Sequence, residues 1–284
     1  MMVLPDDFQF SQASLQDFVA CPRRFQLRYL MGLRWPAVPA EPIEEHERRM
    51  RLGTEFHRLV QRYLLGVPRE RITRSVRDPE LQSWWQSFLS HDPLAQYGGD
   101  DSAAKVRSEL SLVGRAAGYR LVAKCDVVIV VPGRQAVILD WKTSNRPPSV
   151  PWLRRRLQTR VYPYVLVQAG SYLNGQVPVQ SRQVEMVYWY PGFPDQTVRL
   201  PYSASQYAQD GEYLERQVET IAACGESDFA LTEDEKSCNY CAYRSYCGRG
   251  DRAGNIDDVD TELDFDVDPG DFDFDLEQIA EIEF

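Results

Sequence analysis

No apolar run in this chain of 284 residues approaches the roughly 20 needed to cross a bilayer; the longest, Val127 to Val131, has the length of a buried strand. The opening MMVLPDDF has neither a basic stretch nor an apolar core, so no signal peptide is expected. A phosphate loop of the form G-x4-GK[ST] is absent, which excludes a helicase motor within these residues. There are no internal repeats and no long Gly/Ser linker. A disulfide framework is not expected either, because the six cysteines are unevenly placed, three of them between Cys238 and Cys247. These absences point to a cytoplasmic protein with reduced thiols and no membrane association, in which the clustered cysteines ligate a metal.

What is present suits a globular protein, since a hydrophobic content of 43% allows a sizeable core. The net charge of -10 is distributed unevenly: from Asp251 onward 14 acidic residues accompany a single basic one, so residues 1–250 carry a net charge of +3. Lysine is scarce in that body, at positions 105, 124, 142 and 236 alone, and the other cations are arginines. Arginine's planar fork suits phosphate, and solvated surface charge is the plain alternative. The run Arg154, Arg155, Arg156 with Arg160 is the expected basic groove.

The first hundred residues read as helical: SQASLQDFVA, a break at Cys21-Pro22, a second run from Arg23 to Leu30, and further helices near Ile43 to Leu65 and Pro79 to Leu89. The pattern then changes to strands over Ser108 to Val113, Tyr119 to Val131 and Ala136 to Trp141. A helix is expected from Pro151 to about Ala169, a strand from Gln183 to Tyr190 and a helix from about Ala204 to Ala223. This order gives an α/β core, a mixed sheet flanked by helices. We expect one domain over residues 1–250, with a helical part at about 10–100, a catalytic core at about 105–225 and a cysteine segment at 238–247; residues 251–284 form an acidic, disordered tail.

Asp140-Trp141-Lys142 ends an apolar run, with Asp126 on the preceding strand. A three-residue turn at Pro132-Gly133-Arg134 pairs Val131 with Gln135 and sets Asp126 opposite Asp140, with Lys142 on the same face by the period of two. Two carboxylates and an ammonium at a hairpin end suit metal-assisted phosphodiester hydrolysis: Mg2+ or Mn2+ takes the oxygens of Asp126 and Asp140, and Lys142 orients the nucleophile or stabilises developing charge. A second match, Asp234-Glu235-Lys236, follows no strand and reads as a solvated loop. Glu109 in SELSL reads as an exposed strand glutamate rather than a further acid at the metal.

Two flanking motifs complete the pattern. Gln158 and Tyr162 lie four apart on one helical face, and His57 stands in GTEFHRLVQRYL beside the apolar stripe of Phe56, Val60 and Tyr63. His57, Asp126, Asp140-x-Lys142 and Gln158-x3-Tyr162, in that order, resemble the RecB-like branch of the PD-(D/E)xK nucleases over most of residues 11–250. The resemblance implies a restriction-endonuclease-like core, His57 and the carbonyl of Trp141 as further metal ligands, and Gln158 and Tyr162 near the DNA backbone. One departure is Ala123, where the family often has glycine three residues before the first aspartate.

Cys238-x2-Cys241-x5-Cys247 offers three soft ligands in one loop, and a structural metal site usually takes four. Cys21, at its helix break, is the natural fourth, whereas Cys125 and Cys224 look like small buried hydrophobes. The spacing alone does not separate a zinc site from a 4Fe-4S cluster. The split pattern is similar to that of the 4Fe-4S nucleases, including the AddB nuclease domain and the CRISPR-associated RecB-like proteins, and this similarity implies iron. It also implies a single-strand DNA exonuclease of repair, recombination or CRISPR adaptation, working beside a helicase or a single-strand-binding protein. The competing class is a non-catalytic DNA-binding or adaptor subunit of a helicase-nuclease assembly. The tail, ending Ile282-Glu283-Phe284, superficially resembles the acidic tails of single-strand-binding proteins. Imitation of a nucleic-acid strand in the basic groove and simple solubility are its other readings.

Overall fold

The computed structural model describes residues 4–33, 41–98, 104–144, 146–239 and 241–250, without the side chains of 41–47. The tail expected at 251–284 lies outside the described residues.

Strand β1 (Gln9–Ser11) leads into helix α1 (Gln12–Ala20), whose first turn is closed by a reciprocal Ser11–Ser14 capping box. Cys21 ends α1 and precedes α2 (Pro22–Phe25), where Pro22 takes the first-turn position that needs no N–H. A π-turn (Gln26–Leu30) completes this region. Helices α3 (Glu41–Leu64), α4 (Arg69–Ser75), α5 (Pro79–His91) and the short α6 (Ala95–Gly98) follow. Strands β2 (Lys105–Ala116), β3 (Tyr119–Val131) and β4 (Gln135–Trp141) form a meander. Then come α7 (Val150–Arg155), α8 (Leu157–Ala169), β5 (Val184–Trp189), β6 (Val198–Pro201) and α9 (Ala204–Ala223).

The six strands make one mixed sheet, as the alternation of strand and helix implied. β3 carries β2 along one edge; its other edge is shared, with β1 parallel at Arg120 to Val122 and β4 antiparallel from Val127. β5 lies parallel to β4 across the α7–α8 crossover, and β6 closes the far edge. One apolar layer, under α1, α8 and α9, includes Phe10, Leu15, Val161, Val165 and Leu214. The other, under α3 to α5, includes Phe56, Val60, Trp84, Trp85, Phe88, Trp141 and Trp189. Each such side chain contributes about 1.5–3 kcal/mol on burial. Phe56 stacks on Trp189 at 6.4 Å between ring centroids and meets Trp84 edge-on, which anchors α3 one residue from His57.

Several expectations are corrected. The first hundred residues are not all helical, because three of them form β1; so short a strand shows no alternation to read. α4 and β6 have no counterpart among the expected elements. The helix expected from Pro151 to Ala169 breaks at Arg156, which is extended at φ -64° and ψ 143°. Side chains compensate for the break: the Thr159 hydroxyl donates to the Leu153 carbonyl at 2.6 Å, and the Arg156 guanidinium lies over the Trp152 ring at 4.5 Å. No helix among the described residues is long and apolar enough to cross a membrane.

Candidate active site and metal centre

The β3–β4 turn has the three-residue form, with Gly133 at φ 76° and Val131 paired with Gln135, so the register is the expected one. The ladder stops at Val127–Leu139. At the next rung the Asp126 side chain takes over, its Oδ2 accepting the Trp141 N–H at 2.9 Å. The carboxylate therefore sits where β3 parts from β4.

Across the sheet a second irregularity coincides with it. Glu109 lies between the pairs Ser108–Val127 and Leu110–Cys125, opposite Asp126, and adopts φ 49°, a left-handed conformation that costs a non-glycine residue energy. The strand changes face here: Leu121, Ala123 and Cys125 pack in the α8 layer, but so do Val128 and Val130, whereas Val127 and Ile129 join the α3–α5 layer. This kink turns the Glu109 and Asp126 side chains toward α3, from which His57 meets them. His57 Nδ1 is 3.2 Å from Asp126 Oδ1, and one ligand atom from each of His57, Glu109 and Asp126 lies within 4.8 Å of the others. Glu109 is thus not the exposed strand glutamate expected; the tertiary kink, invisible in local alternation, brings it into the cluster.

The three groups perturb one another. Burial disfavours the charged imidazole of His57, but the Asp126 carboxylate beside it more than offsets this and raises its pKa to about 9. Burial likewise opposes the Asp126 carboxylate, yet His57, the Trp141 N–H and Lys142 hold its pKa below the ordinary range. Glu109 is pushed up, by burial and by the Asp126 charge. An imidazole and two carboxylates from three elements fit a divalent cation that accepts nitrogen and oxygen ligands.

Asp140 lies outside that 4.8 Å group. It is 2% exposed, on the α8 side of β4, where Lys142 Nζ is 3.0 Å from Oδ2 and Gln158 Nε2 donates to Oδ1 at 2.7 Å. Asp140 and Lys142 share a face as expected, but Asp126, expected on that face too, meets His57 of α3 instead; the Lys142 N–H donates to the Trp189 carbonyl at 2.9 Å, extending the β4–β5 pairing past the motif. Gln158 and Tyr162 are buried, at 5% and 4% exposure. The Gln158 amide holds the Asp140 carboxylate. The expected basic groove is also revised. Arg156 is buried, and Arg160 pairs with the buried Asp210 at 3.1 Å, which Tyr202 also contacts, while Arg154 and Arg155 remain exposed. The Asp234-Glu235-Lys236 match is an exposed single-turn 3-10 segment, as expected.

Gly53 sets how closely α3 approaches the motif strand. A Cβ built there would stand 2.9 Å from Thr143 Oγ1, one residue past Lys142. Gly53→Ala is therefore expected to displace α3 or Thr143 and to lower any activity of the site about tenfold, with Gly53→Ala/Thr143→Ala recovering most of it. Equal activity of Gly53→Ala and the parent protein in a steady-state assay refutes this account.

The cysteine segment docks on the N-terminal region. The Arg23 N–H donates to the Ala230 carbonyl at 3.1 Å, Gln26 Nε2 to the Glu226 carbonyl at 2.9 Å, and the Tyr243 hydroxyl to the Leu33 carbonyl at 2.8 Å. Burial raises the pKa of Cys238, Cys241 and Cys247, and nearby thiols add to it: Cys241 and Cys21 act on Cys238, and Cys241, Cys21 and Cys238 on Cys247. Among the described residues no three of the cysteine sulfurs lie within 4.8 Å of one another. Cys125 is fully buried, as expected; Cys224 is half-buried, its Sγ 3.2 Å from the Thr220 carbonyl.

Comparison with known proteins adds an independent finding. The model of the PD-(D/E)XK nuclease superfamily matches residues 9–248. Among solved structures, SSO0001 matches with 15% identity over 86% of this chain and 87% of its own, at a TM-score of 0.37. A protein of Eubacterium rectale described as a candidate exonuclease matches with 11% identity over 75% and 79%, at a TM-score of 0.47. No curated protein matches the chain.

Proposed function

The chain belongs to the PD-(D/E)XK nuclease superfamily, and from that premise we propose that it is a Mg2+- or Mn2+-dependent DNA nuclease of the RecB-like branch, a single-strand exonuclease. The observation that carries this reading is the convergence of His57, Glu109 and Asp126 within 4.8 Å, beside an Asp140–Lys142 pair at 3.0 Å.

In this reading His57, Glu109 and Asp126 would hold the cation, and Asp140 and the Trp141 carbonyl are the further ligands that the resemblance implies. A bound divalent cation polarises the scissile phosphate and acidifies a water. The residues of the chain do the rest. Gln158 keeps the Asp140 carboxylate turned toward Lys142, and it is a positioning residue. Lys142, fixed by its main-chain bond to Trp189, keeps an ammonium at the end of β4 where negative charge develops. Tyr162, one turn along α8 from Gln158 and equally buried, supports that placement.

Cys21, Cys238, Cys241 and Cys247 fit a 4Fe-4S cluster as four thiolate donors from two docked segments. Zinc would accept the same four thiolates, and it is the likeness of the split cysteine pattern to the 4Fe-4S nucleases that favours iron. We read residues 1–250 as one nuclease domain closed by this cluster, acting in DNA repair, recombination or CRISPR adaptation, with unwinding supplied by a partner.

The test is an anaerobic preparation incubated with end-labelled single- and double-stranded DNA and Mg2+ or Mn2+. Cation-dependent shortening of the single strand from its ends is expected, and an intact substrate under every condition overturns the reading. Within the same site, Glu109→Gln is expected to weaken Mn2+ binding about tenfold or more by calorimetry, a loss of the size seen when groups supporting a metal are removed. Glu55→Gln, exposed on α3, is the control; equal affinity in the two variants removes Glu109 from the ligand set.

A further inference from the structure

Beside the kink at Glu109 and Asp126, one surface of the sheet is exposed among the described residues. Before it, β3 is flanked by β1 and β2, and one face of this three-strand ribbon packs Phe10, Leu112, Ala116, Leu121 and Ala123 into the α8 layer. The opposite face carries the paired positions Arg115–Arg120, Val113–Val122 and Ser111–Lys124, with Gln9 beside Arg120. Arg115, Arg120 and Lys124 are exposed, and so is Val113, at 51%. No acid lies among these positions until Glu109, at the end of the row. Lys124 reaches that end, its Nζ 3.3 Å from Glu109 Oε2. α3 touches β2 alongside and exposes Arg51, Arg58 and Arg62 on the turns around His57.

We propose that this face is the bed of a single nucleic-acid strand, whose phosphates cross Arg115, Arg120 and Lys124 toward the corner formed by His57, Glu109 and Asp126. The proposal deepens the nuclease reading and rests on it. Three strands place the outer two about 10 Å apart, a width that seats one backbone rather than a duplex. Lys124 stands two residues from Asp126, about 7 Å along the strand, so its phosphate is a neighbour of the one at the metal centre. Val113 and Val122 supply an apolar patch between the cations for sugars or bases. Contacts of this kind set position and register without reading sequence.

The test is the double variant Arg115→Ala/Arg120→Ala, titrated with a fluorescent single-stranded oligonucleotide in Ca2+ at several salt concentrations. Its affinity is expected to fall about tenfold at low salt, and the slope of log affinity against log salt to shrink by about 1.4, since each phosphate contact on a single strand contributes about 0.7. Arg182→Ala/Arg216→Ala, which removes two exposed charges elsewhere, is expected to bind like the parent. Parent-like affinity and slope in the first variant, or an equal loss in the second, overturns the proposal. Hydrolysis of bis(p-nitrophenyl) phosphate by the parent protein with Mn2+ tests the chemistry separately. Charge-dependent binding without hydrolysis defeats the nuclease reading and keeps the strand bed; hydrolysis with unchanged binding does the reverse.

Discussion

Asp126→Asn protein is expected to cleave single-stranded DNA at least about a thousandfold more slowly than the parent, with its fold intact. The amide keeps the shape and one acceptor for the Trp141 N–H, so the β3–β4 parting survives. It removes the charge opposite His57 on a carboxylate that touches both His57 and the motif strand. Lys142→Ala is expected to lose about a hundred- to a thousandfold, the range for removing one group that stabilises developing charge. Asp140 keeps its bond from Gln158 in that variant, so little unfolding should follow. The two variants differ in a second measurement: calorimetric Mn2+ affinity should drop for Asp126→Asn and hold for Lys142→Ala. Near-parental single-turnover cleavage by either protein removes that residue from the chemistry.

Freshly purified protein is expected to be brown, and Cys21→Ser or Cys241→Ser to lose both the colour and most of the soluble yield. Ligation of Cys21 and Cys238 would join positions 217 residues apart. Closing so long a loop restricts the unfolded chain by an amount on the order of 5 kcal/mol, comparable to the whole stability of many domains. Cys224→Ser, at a half-buried thiol held to its own helix, should change neither property. Iron and sulfide analysis with visible spectra checks the expectation. Stoichiometric zinc without iron replaces the cluster with a zinc site, and Cys21→Ser protein with parental metal content and melting temperature removes Cys21 as a ligand.

Much of the centre was legible because the interactions that set it are local. The Pro132-Gly133-Arg134 turn fixes the β3–β4 register through its length and the left-handed Gly133, so the pairing as far as Val127–Leu139 could be counted before any tertiary contact was known, whereas the next rung, Asp126 opposite Asp140, does not form. Lys142 shares the side of Asp140 because strand side chains alternate. Helix α9 was readable from its apolar period and starts behind a Ser203 cap, as helices in general do. Cys21 stood out at a Cys-Pro helix break, and the structure places it at the junction of α1 and α2.

The misreadings share a different cause. Glu109 reads as an exposed strand glutamate, yet it lies where α3 meets the sheet, so His57 and Asp126 enclose it. Gln158 and Tyr162 share one helical face, and because α8 lies against the sheet both are buried. Arg160 belonged by sequence to a basic run, yet Asp210, 50 residues later on α9, takes it.

By itself, then, the sequence determined what short-range physics can encode: the hairpin register, the Asp140–Lys142 face and the helix carrying His57. Tertiary structure alone decided the rest: which acid joins His57 and Asp126, and which arginines of the described residues stay exposed. Those outcomes depend on where α3, α8 and α9 pack against the sheet. Packing is settled by burial summed over residues far apart in the chain, which no local period records.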